Sequence, residues 1–172
     1  YPAFQAALDA ANKYQKKHPG SQCKVVIPKG TYRIKGQSGH GLIVYSNTWI
    51  YAEGATIKRR SDYNWHLMQT DMSGKGYNVT RNVKIEGGTW DGQGKETKNT
   101  NSVFRFAHAS NMAFINCTVQ NSFNAHIIEL GGVKGFTAQG CTVKKYSQND
   151  SSLKKEAIQL DLSLIHISEP TR

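Results

Sequence analysis

The sequence predicts an all-β fold: a right-handed parallel β-helix, or solenoid, with an N-terminal capping α-helix. Three observations predict it. A strand-like segment recurs four times with one internal pattern, a second strand-like set follows it in each repeat, and only one helical stretch is visible. An α/β fold would need a helix between successive parallel strands, and the sequence offers a single one.

That helix opens the chain, over residues 1–18. Phe4, Ala7, Leu8 and Ala11 repeat at the spacing of one helical face, Pro2 suits the first turn, and His18-Pro19-Gly20 stops the run. Its expected role is to cover the first coil, whose core and strand edges would otherwise lie open. After Gly20 short runs of Val, Ile, Phe and Tyr alternate with Gly, Asn, Ser and Asp, the texture of strands and turns. Coils are expected over 23–161.

The first repeated set comprises residues 50–57, 83–90, 112–119 and 136–143. Aligned, they stack Ile50, Val83, Met112 and Phe136; Ala52, Ile85, Phe114 and Ala138; and Ala55, Gly88, Cys117 and Cys141. A threonine column (Thr56, Thr89, Thr118, Thr142) precedes a last column of Ile57, Trp90, Val119 and Val143. That last column advances by 33, 29 and 24 residues, so the turns accept insertions while the strands keep their pattern. Asn116, in a formal glycosylation triplet like Asn78 and Asn149, is expected inside a strand. The stacked Cys117 and Cys141 read as small interior residues; three cysteines in all make no disulfide scaffold.

In the second set, period-2 alternation turns Met68, Phe104, Ile128 and Ile158 inward. Gln69, Arg105, Glu129 and Gln159 then form an outward column, with neighbours about 4.8 Å apart. Lys58 and Lys144 follow one column of the first set and predict a basic stripe.

The 172 residues carry 22 Lys and Arg against 12 Asp and Glu, a net charge of +10 that favours polyanionic partners. No apolar run reaches membrane-span length, so no membrane insertion is expected. No nucleic-acid recognition motif is present, and none of that class of partner is expected. The last eleven residues, Leu162 to Arg172, resemble a translated sequencing adapter and break the strand pattern. The domain is therefore taken as 1–161, with 162–172 a non-native tail and the natural protein expected to continue past Asp161.

Val25-Val26-Ile27-Pro28-Lys29-Gly30-Thr31-Tyr32, after a capping helix, resembles the opening of pectate-lyase-superfamily β-helices. Gly87-Gly88-Thr89-Trp90-Asp91-Gly92-Gln93-Gly94 resembles the glycine-rich segment of bacterial polygalacturonase-like proteins. Asn121 to His126, followed by Glu156 to Asp161, resembles the approach to their first catalytic carboxylate. The sequence departs from that family at Lys154-Lys155-Glu156, where an Asn-x-Asp group is expected; the family's other catalytic motifs would fall beyond Asp161. The resemblance implies an extracellular or cell-surface protein that cleaves or modifies an acidic, uronate-containing polysaccharide. The alternative is a non-catalytic glycan-binding surface or adhesin solenoid.

Hydrolysis of a glycosidic bond needs two carboxyl groups. Glu156 takes the position of the family's first catalytic acid, with Asp161 the second carboxylate; a polar residue closing a turn is the plainer role for Glu156. Glu129 is a candidate acid or base and His126 a proton relay. Arg105 suits bidentate binding of a uronate carboxylate, flanked by Gln69 and Gln159 as substrate-binding residues. Arg105 and Glu129 equally suit a structural ion pair. No metal site is expected; calcium enters only if the protein is a lyase. Asp91 reads as a turn-former, and Trp49, Trp65 and Tyr63 as stacking platforms or packing residues.

Overall fold

The computed structural model describes residues 2–36 and 39–161. The tail set apart above, residues 162–172, lies outside the described residues.

The chain runs from α1 (Pro2–Lys17) through β1 (Cys23–Val26), β2 (Gly30–Ile34), β3 (Leu42–Val44), β4 (Thr48–Tyr51), β5 (Ala55–Arg59) and β6 (Met68–Thr70). It continues with β7 (Thr80–Glu86), β8 (Thr89–Asp91), the short α2 (Gly94–Thr97), β9 (Phe104–Ile115) and β10 (Thr118–Phe123). Then follow β11 (Ile128–Gln139), β12 (Thr142–Ser147), a 3-10 turn at Ser151–Leu153 and β13 (Ile158–Asp161). All recorded strand pairings are parallel, and each joins one coil to the next: a β-solenoid with one N-terminal helix.

Three faces wrap the core. The first holds β3, β6, β13 and the leading halves of β9 and β11; the second holds β1, β4, β7 and the trailing halves of β9 and β11. The third runs β2, β5, β8, β10, β12. Between the first two faces, asparagines take the left-handed conformation that this residue tolerates best: Asn47, Asn82 and Asn111 at φ 55°, 56° and 54°. Their side chains form a ladder, Asn111 Nδ2 donating to Asn82 Oδ1 and Asn82 Nδ2 to Asn47 Oδ1, both at 2.8 Å. Gly135 takes the next place, at φ 74°.

The helix caps as expected. Leu8 and Ala11 are buried against the first coil. Gln5 also serves the edge of β3, accepting from the Ile43 amide at 2.9 Å and donating to its carbonyl at 3.2 Å. Those are backbone groups that a bare edge strand leaves unpaired. Inside, Trp90, Phe104, Phe106, Phe114 and Phe136 form a continuous aromatic column, with ring centroids 5.0 to 5.5 Å apart.

The threonine column and the Ile57, Trp90, Val119, Val143 column pair as the spacing predicts. Of the four aligned segments, the one over 50–57 does not follow the predicted register in its leading strand. Ile50 pairs with Ile85, not Val83, and Ala52 falls beside Gly87. The cause is a turn two residues longer, with Glu53 and Gly54 inserted before Ala55; later coils cross from face two to face three without them. Asn116 is likewise not inside a strand. It is an exposed turn residue at φ 53°, between β9 and β10.

The basic stripe is interrupted: Lys58 pairs with Asp91, Asp91 with Gln120, and Gln120 with Lys144. Arg59, next to Lys58 in the chain, is fully buried. Its guanidinium donates to the carbonyls of Gly92 at 2.7 Å, Trp65 at 2.6 Å and Asn101 at 3.2 Å. It thus ties together the two loops that lead onto the first face, and burial lowers its pKa to about 10. Asp91 makes the expected turn, accepting from Gln93 N at 2.8 Å, and is itself buried under Gln120 and Asn121. Cys117 and Cys141 are free thiols on adjacent coils; burial pushes Cys117 up to about 12.

Candidate functional site

On the first face the strands put Gln69, Arg105, Glu129 and Gln159 in one register column, one residue per coil. Met68, Phe104 and Ile128 point the other way and are fully buried, so alternation turns the polar column outward. Arg105 Nε lies 3.1 Å from Glu129 Oε1, a half-exposed ion pair. The other carboxylate oxygen, Oε2, accepts from Ser102 Oγ at 2.8 Å. Both oxygens of Glu129 are therefore engaged in the free protein.

Gln69 is drawn further in than its column mates. Its Oε1 accepts from Trp65 Nε1 at 2.8 Å and from the Gly41 amide at 3.1 Å, so it fixes the Trp65 ring at the margin of the column. Trp65 remains partly exposed. The other two aromatic candidates are committed elsewhere. Tyr63 is buried and donates to the His40 carbonyl, while Trp49 is flanked by Lys24 and Lys84 ammonium groups 4.1 and 3.5 Å from its ring centre. Cations on the ring leave Trp49 little free π surface for a sugar.

Two residues ahead of the inward column, a second row stacks His66, Ser102, His126 and Glu156. His66 is 5 % exposed, and its Nδ1 meets the Ser102 carbonyl at 3.2 Å. A carbonyl only accepts, so Nδ1 carries the proton. Burial, with added repulsion from Arg105 and Arg59, lowers the His66 pKa to about 4, against the pull of the Ser102 carbonyl and Glu129. His126 is 3 % exposed, and its Nδ1 lies 2.8 Å from the Glu156 carbonyl. The Glu156 amide also lies 3.2 Å from Nδ1, so Nδ1 can donate to that carbonyl or accept from that amide, while Nε2 is buried with no partner among the described residues.

Glu156 precedes β13 and is exposed; its backbone, not its carboxylate, meets His126. The carboxylate acts on Tyr146, whose pKa is raised by partial burial and then by that charge. Asp161 ends β13, paired in register with Gly131. Thus Arg105, Glu129 and Gln159 share one outward strip with Gln69 beneath its margin. His126 sits one row behind, and Glu156 and Asp161 flank the strip on the last coil. Ser102 and His66 were not singled out by sequence reasoning, although each stands two residues before a recognised inward position. Among the described residues no group of three or more His, Cys, Asp or Glu side chains converges to hold a metal ion.

No protein-family model matches the sequence, and no curated protein matches it. Solved structures do resemble the fold. A protein from Parabacteroides merdae provisionally named a glycosyl hydrolase aligns with a TM-score of 0.61 at 13 % identity, covering 90 % of this chain and 69 % of its own. PfbA, a surface adhesin of Streptococcus pneumoniae, aligns with a TM-score of 0.66 at 21 % identity. That alignment covers 90 % of this chain and 39 % of the adhesin, so the chain spans well under half of that protein. At these identities the likeness is one of fold. No helix among the described residues is long and apolar enough to cross a membrane.

Proposed function

We propose that this protein belongs with the pectate-lyase-like β-helices and acts at or outside the cell surface on an acidic polysaccharide laid along its first face. The observation that carries the reading is the outward column Gln69, Arg105, Glu129, Gln159, which presents one polar side chain per coil along the direction of a polymer. Arg105 anchors a uronate carboxylate through its planar fork, and the +10 charge draws a polyanion toward the surface. Gln159 and the free amide of Gln69 bond sugar hydroxyls, with Trp65 stacking at the margin. A uronate that claims Arg105 releases one oxygen of Glu129 beside the substrate. Glu129 then serves as acid or base, relayed by the orphan Nε2 of His126, with Glu156 or Asp161 as the second carboxyl.

A second reading is a glycan-binding surface without turnover, in keeping with the adhesin-like fold. It is favoured by the double engagement of Glu129, because a carboxylate paired with Arg105 and Ser102 is also an ordinary structural ion pair. The test is reducing-end release from polygalacturonate, together with binding, for wild type and for Glu129→Gln, Glu156→Gln and Asp161→Asn. The catalytic reading expects at least one variant to lose turnover by about 100-fold or more while still binding. Binding with no turnover in wild type removes the catalytic reading; no binding at all removes both.

A further inference from the structure

We propose an anion site, separate from the first face, at the corner where the third face turns into the first, and taking a sugar that carries a sulfate ester or a phosphate. The corner is a notch. The connection from β10 to β11, residues 124–127, is short, while those of the coils on either side, 92–103 and 148–157, are long. The first of these long connections carries α2, which sits directly on β10: a Cβ on Gly94 would meet the Phe123 backbone nitrogen at 2.6 Å. A hollow of about 360 Å³ lies between α2 and β12 over Asn121, within the range of small-ligand pockets.

The side-chain donors left uncommitted in this hollow are cationic. Asn121 Nδ2 donates to Asp91 Oδ1 at 3.0 Å and to Glu96 Oε2 at 2.8 Å. Ser147 Oγ donates to the Ser122 carbonyl at 2.7 Å, and the Tyr146 hydroxyl turns to Gln148 and the Lys155 carbonyl. What remains in the lining is the ammonium of Lys95, on α2, and that of Lys145, on β12. Strict alternation from Lys144 would turn Lys145 inward, but its φ of 60° breaks the alternation and leaves it exposed at the hollow. Neither lysine forms an ion pair among the described residues.

The surrounding charges keep the hollow positive. Glu96 is the single carboxylate in the lining, against two lysines. On the adjoining segments Lys98, Lys144 and Lys155 outnumber Glu156 and Asp91, while Lys154 offsets Asp150. Asp91 is moreover buried, with both oxygens already bonded, and Lys98 lies close by, 4.6 Å from the centre of the Phe123 ring. Lysine then decides the shape of the anion. The planar fork of a guanidinium matches a planar carboxylate, as at Arg105. Two ammonium groups on opposite walls are point charges with three rotatable donors each, which suits the three terminal oxygens of a sulfate ester or phosphate. The choice of a sugar as carrier rests on the glycan reading proposed above; the anion site itself does not.

The test is an amide NMR titration of the full chain with galactose 6-sulfate, galactose 6-phosphate, galactose and trigalacturonate. At least one of the two esters is expected to shift the amides of Lys95, Glu96, Asn121, Lys145 and Ser147, while galactose and trigalacturonate leave them in place. Lys95→Gln and Lys145→Gln are each expected to weaken binding about fivefold, the upper end for an exposed ion pair. Lys134→Gln, exposed on the second face, changes the net charge equally and is expected to leave binding unchanged. The proposal is overturned if neither ester shifts these amides, if galactose or trigalacturonate shifts them equally, if neither Lys95→Gln nor Lys145→Gln weakens binding, or if Lys134→Gln weakens it as much. The first-face reading is scored separately, by trigalacturonate shifts at residues 102–107 and 126–131, so failure of one leaves the other standing.

Discussion

His66 makes the protein acid-sensitive in a way that one substitution should remove. Folded, its imidazole is buried with a pKa of about 4; unfolded, it regains its ordinary 6.5. Between those values the unfolded chain binds a proton that the folded chain refuses. Stability is therefore whole above pH 6.5 and falls as the pH drops toward 4. At ~1.36 kcal/mol per pKa unit the full span corresponds to about 3 kcal/mol, of which about 2.5 kcal/mol is lost by pH 4.5. His66→Gln keeps an N–H for the Ser102 carbonyl and cannot titrate. Urea unfolding of both proteins at pH 7.5 and 4.5 isolates the difference from the rest of the chain's titration. Wild type is expected to lose about 2.5 kcal/mol more than the variant over that interval. Equal losses, or an NMR titration of the His66 ring near 6.5 in the folded protein, would refute the reasoning.

Arg59→Met removes the guanidinium from Gly92, Trp65 and Asn101 and leaves their carbonyls without that donor; a loss of at least about 3 kcal/mol is expected in thermal or urea melts. Asn82→Gly keeps the left-handed backbone and forfeits only the two ladder bonds, about 1 to 2 kcal/mol. Asn82→Val should cost at least about 1 kcal/mol more, because a β-branched residue resists that conformation; equal melting points would contradict the account. The Cys117 thiol, buried and pushed up to about 12, should stay unreactive toward an aromatic disulfide reagent at pH 8 until urea unfolds the chain.

The solenoid was legible because its strands repeat chemistry at fixed places while its turns absorb the length differences. Thr56, Thr89, Thr118 and Thr142 announce the register of the third face without any help from spacing. The register slip at 50–57 was not legible. Ile50 and Ala52 are apolar and two apart, so they fit the column equally well when displaced by two residues, and nothing local marks Glu53-Gly54 as an insertion. Arg59 stands between Lys58 and Arg60, yet Ala55, Ile57 and Arg59 share one parity, so alternation alone turns it inward. The interior accepts it because loop carbonyls converge there, a feature of tertiary structure. At the candidate site the outward column was read correctly, and the row behind it was not. His66, Ser102 and His126 stand two residues before positions already aligned, but the bond from Ser102 to Glu129 depends on side-chain reach across coils, which alignment does not supply.

The most direct test is a hydrogen-exchange footprint of an oligogalacturonate on the intact chain. The account predicts slowed exchange confined to the first face, around residues 66–69, 102–107 and 126–131, and lost in Arg105→Gln. Protection on the second or third face instead, or a footprint indifferent to Arg105→Gln, would contradict it.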